Sequence, residues 1–74
     1  MSKNDVRVAS DFFNVILKCI EDAKKYNETY CIVEIGDALT NSIQYEYVKN
    51  IIKNNDMNFT QITVEDKSYY KVMW

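Results

Sequence analysis

Glu34 and Asp37 are two carboxylates that lie close together at the end of the predicted central strand. Sites on α/β sheets tend to form at strand ends, and two carboxylates can serve as general acid and base. The sequence has no histidine, no glycine-rich phosphate loop, no nucleophile elbow and no metal-ligand spacing. A solvated acid followed by a turn-forming aspartate explains the pair without chemistry. We therefore expect no enzyme activity, no cofactor and no metal site.

The two cysteines, Cys19 and Cys31, fall at apolar positions of a predicted helix and a predicted strand. We interpret both as small core residues rather than as ligands or nucleophiles. No CxxC spacing, signal peptide or apolar run of membrane length occurs in the sequence. The expected location is the cytoplasm, where thiols stay reduced.

The length and charge of the chain restrict its function further. Seventy-four residues predict one domain, 1–74. A chain of this size buries only about 60–65% of its unfolded surface, so a partner subunit or very good packing must support it. The net charge of −2 argues against a phosphate-neutralising surface, although the nine basic residues could still share one face.

The segment from Thr29 to Gly36 predicts the central strand of a small sheet, because it is rich in β-branched residues and ends at a glycine. Its odd-numbered positions are apolar, whereas its even-numbered positions mix apolar and polar side chains. This pattern is typical of a strand that is buried on one face and partly covered on the other.

Helical periodicity surrounds that strand. Ser10 predicts an N-cap for a helix that ends near residue 25 or 26, and Asn41 with Gln44 resembles the capping box of a second helix. Each helix carries an apolar arc of roughly 200°, twice the width that an ordinary surface helix needs. Either the helices pack against each other or another chain covers them. Before the first helix, the alternation in Asp5–Val8 predicts a short edge strand or an extended arm.

The C-terminal part predicts a hairpin with a turn at Asp66-Lys67. Residues 59–65 and 69–74 form its strands, with Tyr70, Val72 and Trp74 facing inward. The predicted fold is α+β, a two-layer (β)αβαββ sandwich with both helices on one face of a small mixed sheet that ends in this hairpin. The residues expected on the uncovered face are Tyr30, Glu34, Gln61, Thr63, Tyr69, Lys71 and Met73.

This order of elements resembles the Alba family of chromatin and RNA-binding proteins and the C-terminal domain of bacterial translation initiation factor three. The stretch Ile32–Ala38 and the helix through Ile52 are similar to the second strand, glycine turn and second helix of Alba-like proteins. The resemblance implies the fold. Alba-like proteins grip nucleic acid with basic residues in the first loop and at the hairpin tip. In this chain the corresponding segments, residues 9–11 and 65–68, contain acidic residues instead. The resemblance therefore implies no nucleic-acid-binding residues in this chain.

Six tyrosines, three methionines and one tryptophan are residue types that protein interfaces favour. We therefore expect a small acidic protein-binding module that forms a homodimer. Its general character is similar to inhibitors from phages and mobile elements, anti-CRISPR proteins among them. Such an inhibitor would fill a basic groove that normally holds nucleic acid, using carboxylates such as Asp5 and Asp11. The predicted partner-binding residues are Tyr30, Glu34, Asp37, Glu65, Asp66, Tyr69 and Lys71.

The alternative hypothesis is an Alba-like protein that binds nucleic acid directly. Tyr30, Tyr69 and Tyr70 on a sheet, with Lys71 and Lys67 nearby, could stack unpaired bases. The same tyrosines are equally explained by cross-strand aromatic packing.

Overall fold

The computed structural model describes residues 3–74, and its first element is a long helix, α1, at Lys3–Lys25. The strand predicted at Asp5–Val8 and the N-cap predicted at Ser10 are therefore wrong. The buried stripe of α1 reaches back to Ala9, and Asp5 lies one helical turn earlier on the same side. Because Asp5 is charged, that first turn of the stripe could not be recognised from hydrophobicity.

Four further elements follow, and they confirm the α+β class with two helices on a small sheet. Strand β1 spans Tyr30–Glu34, helix α2 spans Ser42–Asn54, strand β2 spans Asn58–Val64, and strand β3 spans Lys67–Met73. The C-terminal hairpin of β2 and β3 is also as predicted.

The sheet is antiparallel and has the order β1-β3-β2. Strands β1 and β2 run in the same direction but do not pair, because β3 returns between them. The predicted mixed sheet and the predicted central position of the first strand are therefore corrected: β1 is an edge strand and β3 is central. Lys67 and Lys71 gave β3 the sequence character of an edge strand.

Both helices cover the same face of the sheet: α1 packs on β1, α2 packs on β2, and the helices contact each other. The domain is only 16 Å across its shortest dimension, the thickness of one helix layer on one sheet. The core side chains come from both helices, from the sheet and from the segment that connects β1 to α2. They are Ala9, Phe12, Phe13, Ile16, Ile20, Cys31, Val33, Ile35, Leu39, Val48, Ile52, Tyr70 and Val72.

The N-terminus of α2 is fixed by a polar cluster that also holds α1. The Asn41 side chain accepts a hydrogen bond from the Gln44 backbone N–H at 2.9 Å, which confirms Asn41 as the N-cap. The Gln44 side-chain oxygen accepts from the Thr40 backbone N–H at 2.7 Å, one residue earlier than a capping box requires. Its amide donates to Asp5 Oδ1 at 2.9 Å, and Asn41 donates to the same oxygen at 3.1 Å. The buried Gln44 therefore joins the two helices.

The hairpin turn is formed by Glu65 and Asp66, one residue earlier than predicted. Both residues have positive φ, 49° and 66°, which are the values of a type I′ turn. Asparagine and glycine adopt this conformation much more readily than glutamate does.

We expect the double substitution Glu65→Asn and Asp66→Gly to stabilise the domain by about 1 kcal/mol, because it removes backbone strain from the turn. The midpoint of urea unfolding should rise with an unchanged m-value. Asp37→Gly is the matched control, since Asp37 is not among the residues with positive φ. Equal stabilisation by Asp37→Gly, or none by the turn variant, would contradict this explanation.

Candidate protein-binding surface

The face of the sheet opposite the helices is not covered by any other part of residues 3–74. We call it the open sheet face. In the strand register, Tyr30 lies beside Met73, Ile32 beside Lys71, and Glu34 beside Tyr69. The residues that define this face are Tyr30, Ile32, Glu34, Asn58, Thr60, Ile62, Val64, Lys67, Tyr69, Lys71 and Met73.

The open sheet face carries a cluster of apolar side chains, which we call its apolar centre. Ile32 and Val64 are 51% and 52% exposed, although both are side chains that folding normally buries. Together with Ile62 and Tyr69 they line a shallow depression of about 270 Å³. Contiguous exposed apolar surface of this kind marks interaction sites more often than isolated exposed residues do.

Polar groups flank this apolar centre on two sides. The Lys71 ammonium lies 4.7 Å from the centre of the Tyr30 ring, a cation–π contact that holds both side chains against the sheet. Glu34 follows two residues after Ile32 on the same edge strand and is exposed. An apolar centre with a polar rim is the usual composition of a protein interface.

Carboxylates gather at one end of the sheet, which we call the acidic end and define by Glu34, Asp37, Glu65 and Asp66. They meet because β1 ends where β3 begins, and the Ile35 backbone N–H donates to the Ser68 carbonyl at 2.9 Å. All four side chains are exposed. Nearby charge of this sign attracts basic surfaces over distances comparable with the Debye length.

The N-terminal half of α1 carries two more carboxylates, Asp5 and Asp11. Asp11 lines a groove that also includes Ala38, next to Asp37. Asp5 contacts the start of α2. Asp11 is partly neutralised by an ion pair with Arg7 at 4.0 Å, which is highly exposed and therefore weak.

The structure brings all seven predicted partner-binding residues to adjoining surfaces. Tyr30, Glu34, Tyr69 and Lys71 lie on the open sheet face, and the remaining three lie at the acidic end. The inclusion of Gln61 and Thr63 in the uncovered face is wrong, and so is the expected stacking role of Tyr70, which is fully buried on the helix side. Gln61 pairs with Tyr70, which is buried under the helices, so Gln61 and Thr63 also face the helix side of the sheet. Both Gln61 and Thr63 are exposed there, at the margin of the sheet.

Sequence reasoning missed the apolar centre of the open sheet face. Ile32 was included in the predicted strand without a binding role, and Ile62 with Val64 formed the apolar side of the predicted hairpin. A sequence pattern assigns hydrophobic side chains to the core by default. Only the register of the strands shows that these three side chains lie on the open sheet face.

Three further apolar side chains stay exposed on the helices: Val15, Leu17 and Ile43, at 53%, 43% and 46%. The wide apolar arcs predicted for the helices are thus mainly, but not completely, buried by helix–helix and helix–sheet contacts. Val15 borders the groove of Asp11 and Ala38.

Within residues 3–74, no group of three cysteine or carboxylate side chains is placed to hold a metal ion. Glu34 and Asp37 are both exposed, so neither occupies the water-excluded environment in which acid–base groups are usually tuned. The chemistry that this surface offers is apolar contact, aromatic contact and negative charge.

Comparison with protein-family models, with curated proteins and with solved structures found no match for this chain. The resemblance to Alba-like proteins and to the initiation factor domain therefore remains a prediction.

In the part of the chain that the structure describes, no helix is both long enough and apolar enough to cross a membrane.

Proposed function

We propose that this protein is a binding module that contacts a partner protein through the open sheet face. The observation that carries the proposal is the exposed apolar centre formed by Ile32, Ile62, Val64 and Tyr69. A two-layer domain leaves one sheet face to solvent, and that face is ordinarily made polar. Here four of its positions form one apolar patch of β-branched and aromatic side chains, which favours contact with another macromolecule.

The size of this face indicates that the partner reaches beyond it. Three strands about 4.8 Å apart, with a rise of about 3.3 Å per residue, give a footprint of roughly 300 Å² in projection. A stable interface usually buries about 800 Å² on each partner. The adjoining acidic end is the natural extension, because Glu34 belongs to both surfaces.

Charge at the acidic end supports a partner with a basic surface. Exposed carboxylates accelerate association with such a surface, and the buried apolar contacts then set the lifetime of the complex. A basic surface on a protein is commonly the place where nucleic acid binds. The proposal in its sharper form is therefore an inhibitor, of the phage or mobile-element type, that occupies such a surface and excludes nucleic acid from it.

Direct nucleic-acid binding is the second candidate, and the observation that favours it is the position of Tyr30, Tyr69 and Lys71 on one exposed face. Aromatic side chains on a sheet can stack single-stranded bases. However, Lys71 already lies over the Tyr30 ring, and carboxylates adjoin the face. Binding to mixed DNA and RNA at low salt, lost steeply as salt is added, would favour this candidate.

A homodimer also remains a prediction, and the exposed apolar residues supply two surfaces for it. The open sheet face is one, and the helix residues Val15 and Leu17 are the other. Light scattering over a range of concentrations measures this directly. A constant mass of 8.8 kDa would contradict the predicted dimer but would not bear on the proposed complex with a partner protein.

The central test compares two single substitutions, Ile32→Glu and Val15→Glu. The two side chains are almost equally exposed, at 51% and 53%, but lie on opposite layers of the domain. We expect Ile32→Glu to weaken partner binding at least about 30-fold, since truncating or charging an interface centre costs about 2 kcal/mol or more. Val15→Glu should retain binding. Partner recovery from a lysate of the source cells, quantified by mass spectrometry, supplies the measurement.

The stability of both variants must be measured as well. Each should have a free energy of unfolding within about 1 kcal/mol of that of the wild type, because the substituted side chain is exposed. Loss of binding by Val15→Glu but not by Ile32→Glu would move the interface to α1. Equal retention by both variants would contradict the proposed function.

A further inference from the structure

The two cysteines, which the sequence placed independently in the core, meet where α1 packs on β1. The Cys19 thiol donates toward the Ile32 carbonyl oxygen, with 3.8 Å between sulfur and oxygen. Ile32 directly follows Cys31, so this contact brings Cys19 against the part of the strand that carries the second cysteine. The Cys19 thiol also lies close enough to contribute to the raised pKa of the Cys31 thiol, after burial, which is the larger cause.

The pair is open to solvent from one side. Both sulfur-bearing side chains line a shallow depression of about 330 Å³, together with Asp22, Ala23 and Tyr26 among others. Cys19 is half-buried, whereas Cys31 is only 5% exposed. A small reagent that enters the depression therefore reaches Cys19 first and finds Cys31 behind it.

We propose that Cys19 and Cys31 form an oxidation site, in which a peroxide attacks Cys19 and Cys31 converts the product into an intramolecular disulfide. The geometry provides an accessible thiol for attack and a protected thiol beside it. A half-exposed cysteine next to a second cysteine is the arrangement of redox-sensitive pairs.

The first step uses hydrogen peroxide as the oxidant. The sulfur of Cys19, after losing its proton, forms a bond to one peroxide oxygen, and the O–O bond breaks. Cys19 becomes a sulfenic acid, and the hydroxide that leaves takes up a proton to give water.

In the second step the sulfur of Cys31 attacks the sulfur of Cys19. The S–S bond forms, the S–O bond breaks, and the departing hydroxide accepts the Cys31 proton to give a second water. Both thiols are oxidised by two electrons in total, and one peroxide is reduced. Burial raises the pKa of Cys31 to about 12, and the interactions with Cys19 act in the same direction. Cys31 therefore keeps its proton and does not compete for the peroxide.

The product would connect the last part of α1 to the edge strand of the sheet. Closing the segment between residues 19 and 31 restricts the unfolded chain, which generally raises the thermal midpoint of unfolding. Tyr30, at one corner of the open sheet face, directly precedes the linked residue.

The test treats the full chain with hydrogen peroxide under native conditions, removes the oxidant, unfolds the protein and alkylates the remaining thiols. We expect both thiols to escape alkylation, the chain mass to fall by two hydrogens, and a digest to contain one peptide pair linked through Cys19 and Cys31. Two alkylated thiols, an interchain disulfide, or Cys19 oxidised alone to higher acids would each overturn the proposal.

Two variants separate the roles of the thiols. Cys31→Ser should accumulate a sulfenic acid on Cys19, which dimedone traps. In Cys19→Ser, Cys31 should react with peroxide slower by a factor on the order of ten or more, because it is buried. Equal rates in the two variants would overturn the order of attack.

A trivalent arsenical, phenylarsine oxide, tests the proximity of the thiols without any oxidation. One equivalent should block both thiols of the native protein against alkylation, and a small dithiol should release them. Failure of one equivalent to protect both thiols would show that the sulfurs do not come together, and would overturn the proposed site.

Discussion

Tyr70→Ala is expected to remove about 3–5 kcal/mol of stability, the usual result of truncating a buried aromatic residue. Tyr70 is fully buried on the central strand β3. Its ring contacts Phe59, Phe12 and Tyr45, with centroid separations of 5.7, 6.1 and 6.4 Å. A domain of this length has roughly 4–11 kcal/mol in total, so this variant should be partly or wholly unfolded. Urea unfolding followed by circular dichroism measures the loss.

Tyr70→Phe is the matched control, because it keeps the ring and removes only the hydroxyl. Within residues 3–74, the Tyr70 hydroxyl is buried without a hydrogen-bond partner. Removing an unsatisfied buried hydroxyl should leave stability unchanged or raise it by about 1 kcal/mol. A loss greater than that would show that the hydroxyl makes a favourable interaction and would contradict this interpretation.

The same pair of proteins has a predicted pH dependence. Burial, with smaller effects from Tyr45 and Glu46, raises the pKa of Tyr70 to about 12 from an ordinary value of 10.0. The folded state therefore favours the protonated hydroxyl, and its contribution is complete below pH 10 and lost as pH rises toward 12. We expect the wild type to lose about 1 kcal/mol more than Tyr70→Phe between pH 9 and 11. The pKa of Cys31 is also raised in the folded state, to about 12 from 9.0, but this contribution is common to both proteins.

Gln44→Glu is expected to destabilise the domain by about 3 kcal/mol at neutral pH. Gln44 is 2% exposed, and its amide donates to Asp5 Oδ1 at 2.9 Å. The substitution replaces that donor with a second carboxylate, so two negative charges would face each other in a poorly hydrated place. The loss should shrink as pH falls, because one proton shared by the two carboxylates restores a hydrogen bond.

The double variant Asp5→Asn with Gln44→Glu tests the cause. It reverses the direction of the hydrogen bond, since an amide on α1 can donate to a carboxylate on α2. We expect it to recover at least half of the stability lost by Gln44→Glu alone. If the double variant is as unstable as the sum of the two single variants, the charge repulsion proposed here is not the reason.

Much of this fold was predictable, because local patterns determine element types. The apolar stripe of α1, the N-cap at Asn41 and the β-branched density of β1 all led to the correct elements. The pairing of the strands was not predictable in the same way. Nothing local reveals that β3 lies between β1 and β2, so β1 was wrongly predicted to be the central strand.

The candidate surface was only half predictable for a related reason. The charged and aromatic residues were recognised by type, but the apolar centre depends on the hairpin register. The turn at Glu65-Asp66 lacks glycine and was placed one residue late. That turn places Gln61 beside Tyr70 and Ile62 beside Tyr69, so Ile62 lies outside the core.

The contact between Cys19 and Cys31 was not predictable either. Each cysteine was recognised as an apolar position of its own element. Their approach depends on how α1 lies across β1, which is a property of packing rather than of sequence spacing.

Site-specific photo-crosslinking tests the central claim most directly. A photoreactive phenylalanine analogue at position 32 reports what touches the open sheet face, and the same analogue at position 15 reports what touches α1. In lysate of the source cells, we predict that position 32 forms a covalent adduct with one partner protein, that excess wild-type protein suppresses it, and that position 15 forms no adduct with that partner. Adducts from position 15 alone, adducts with nucleic acid, or no adduct from position 32 would contradict the account.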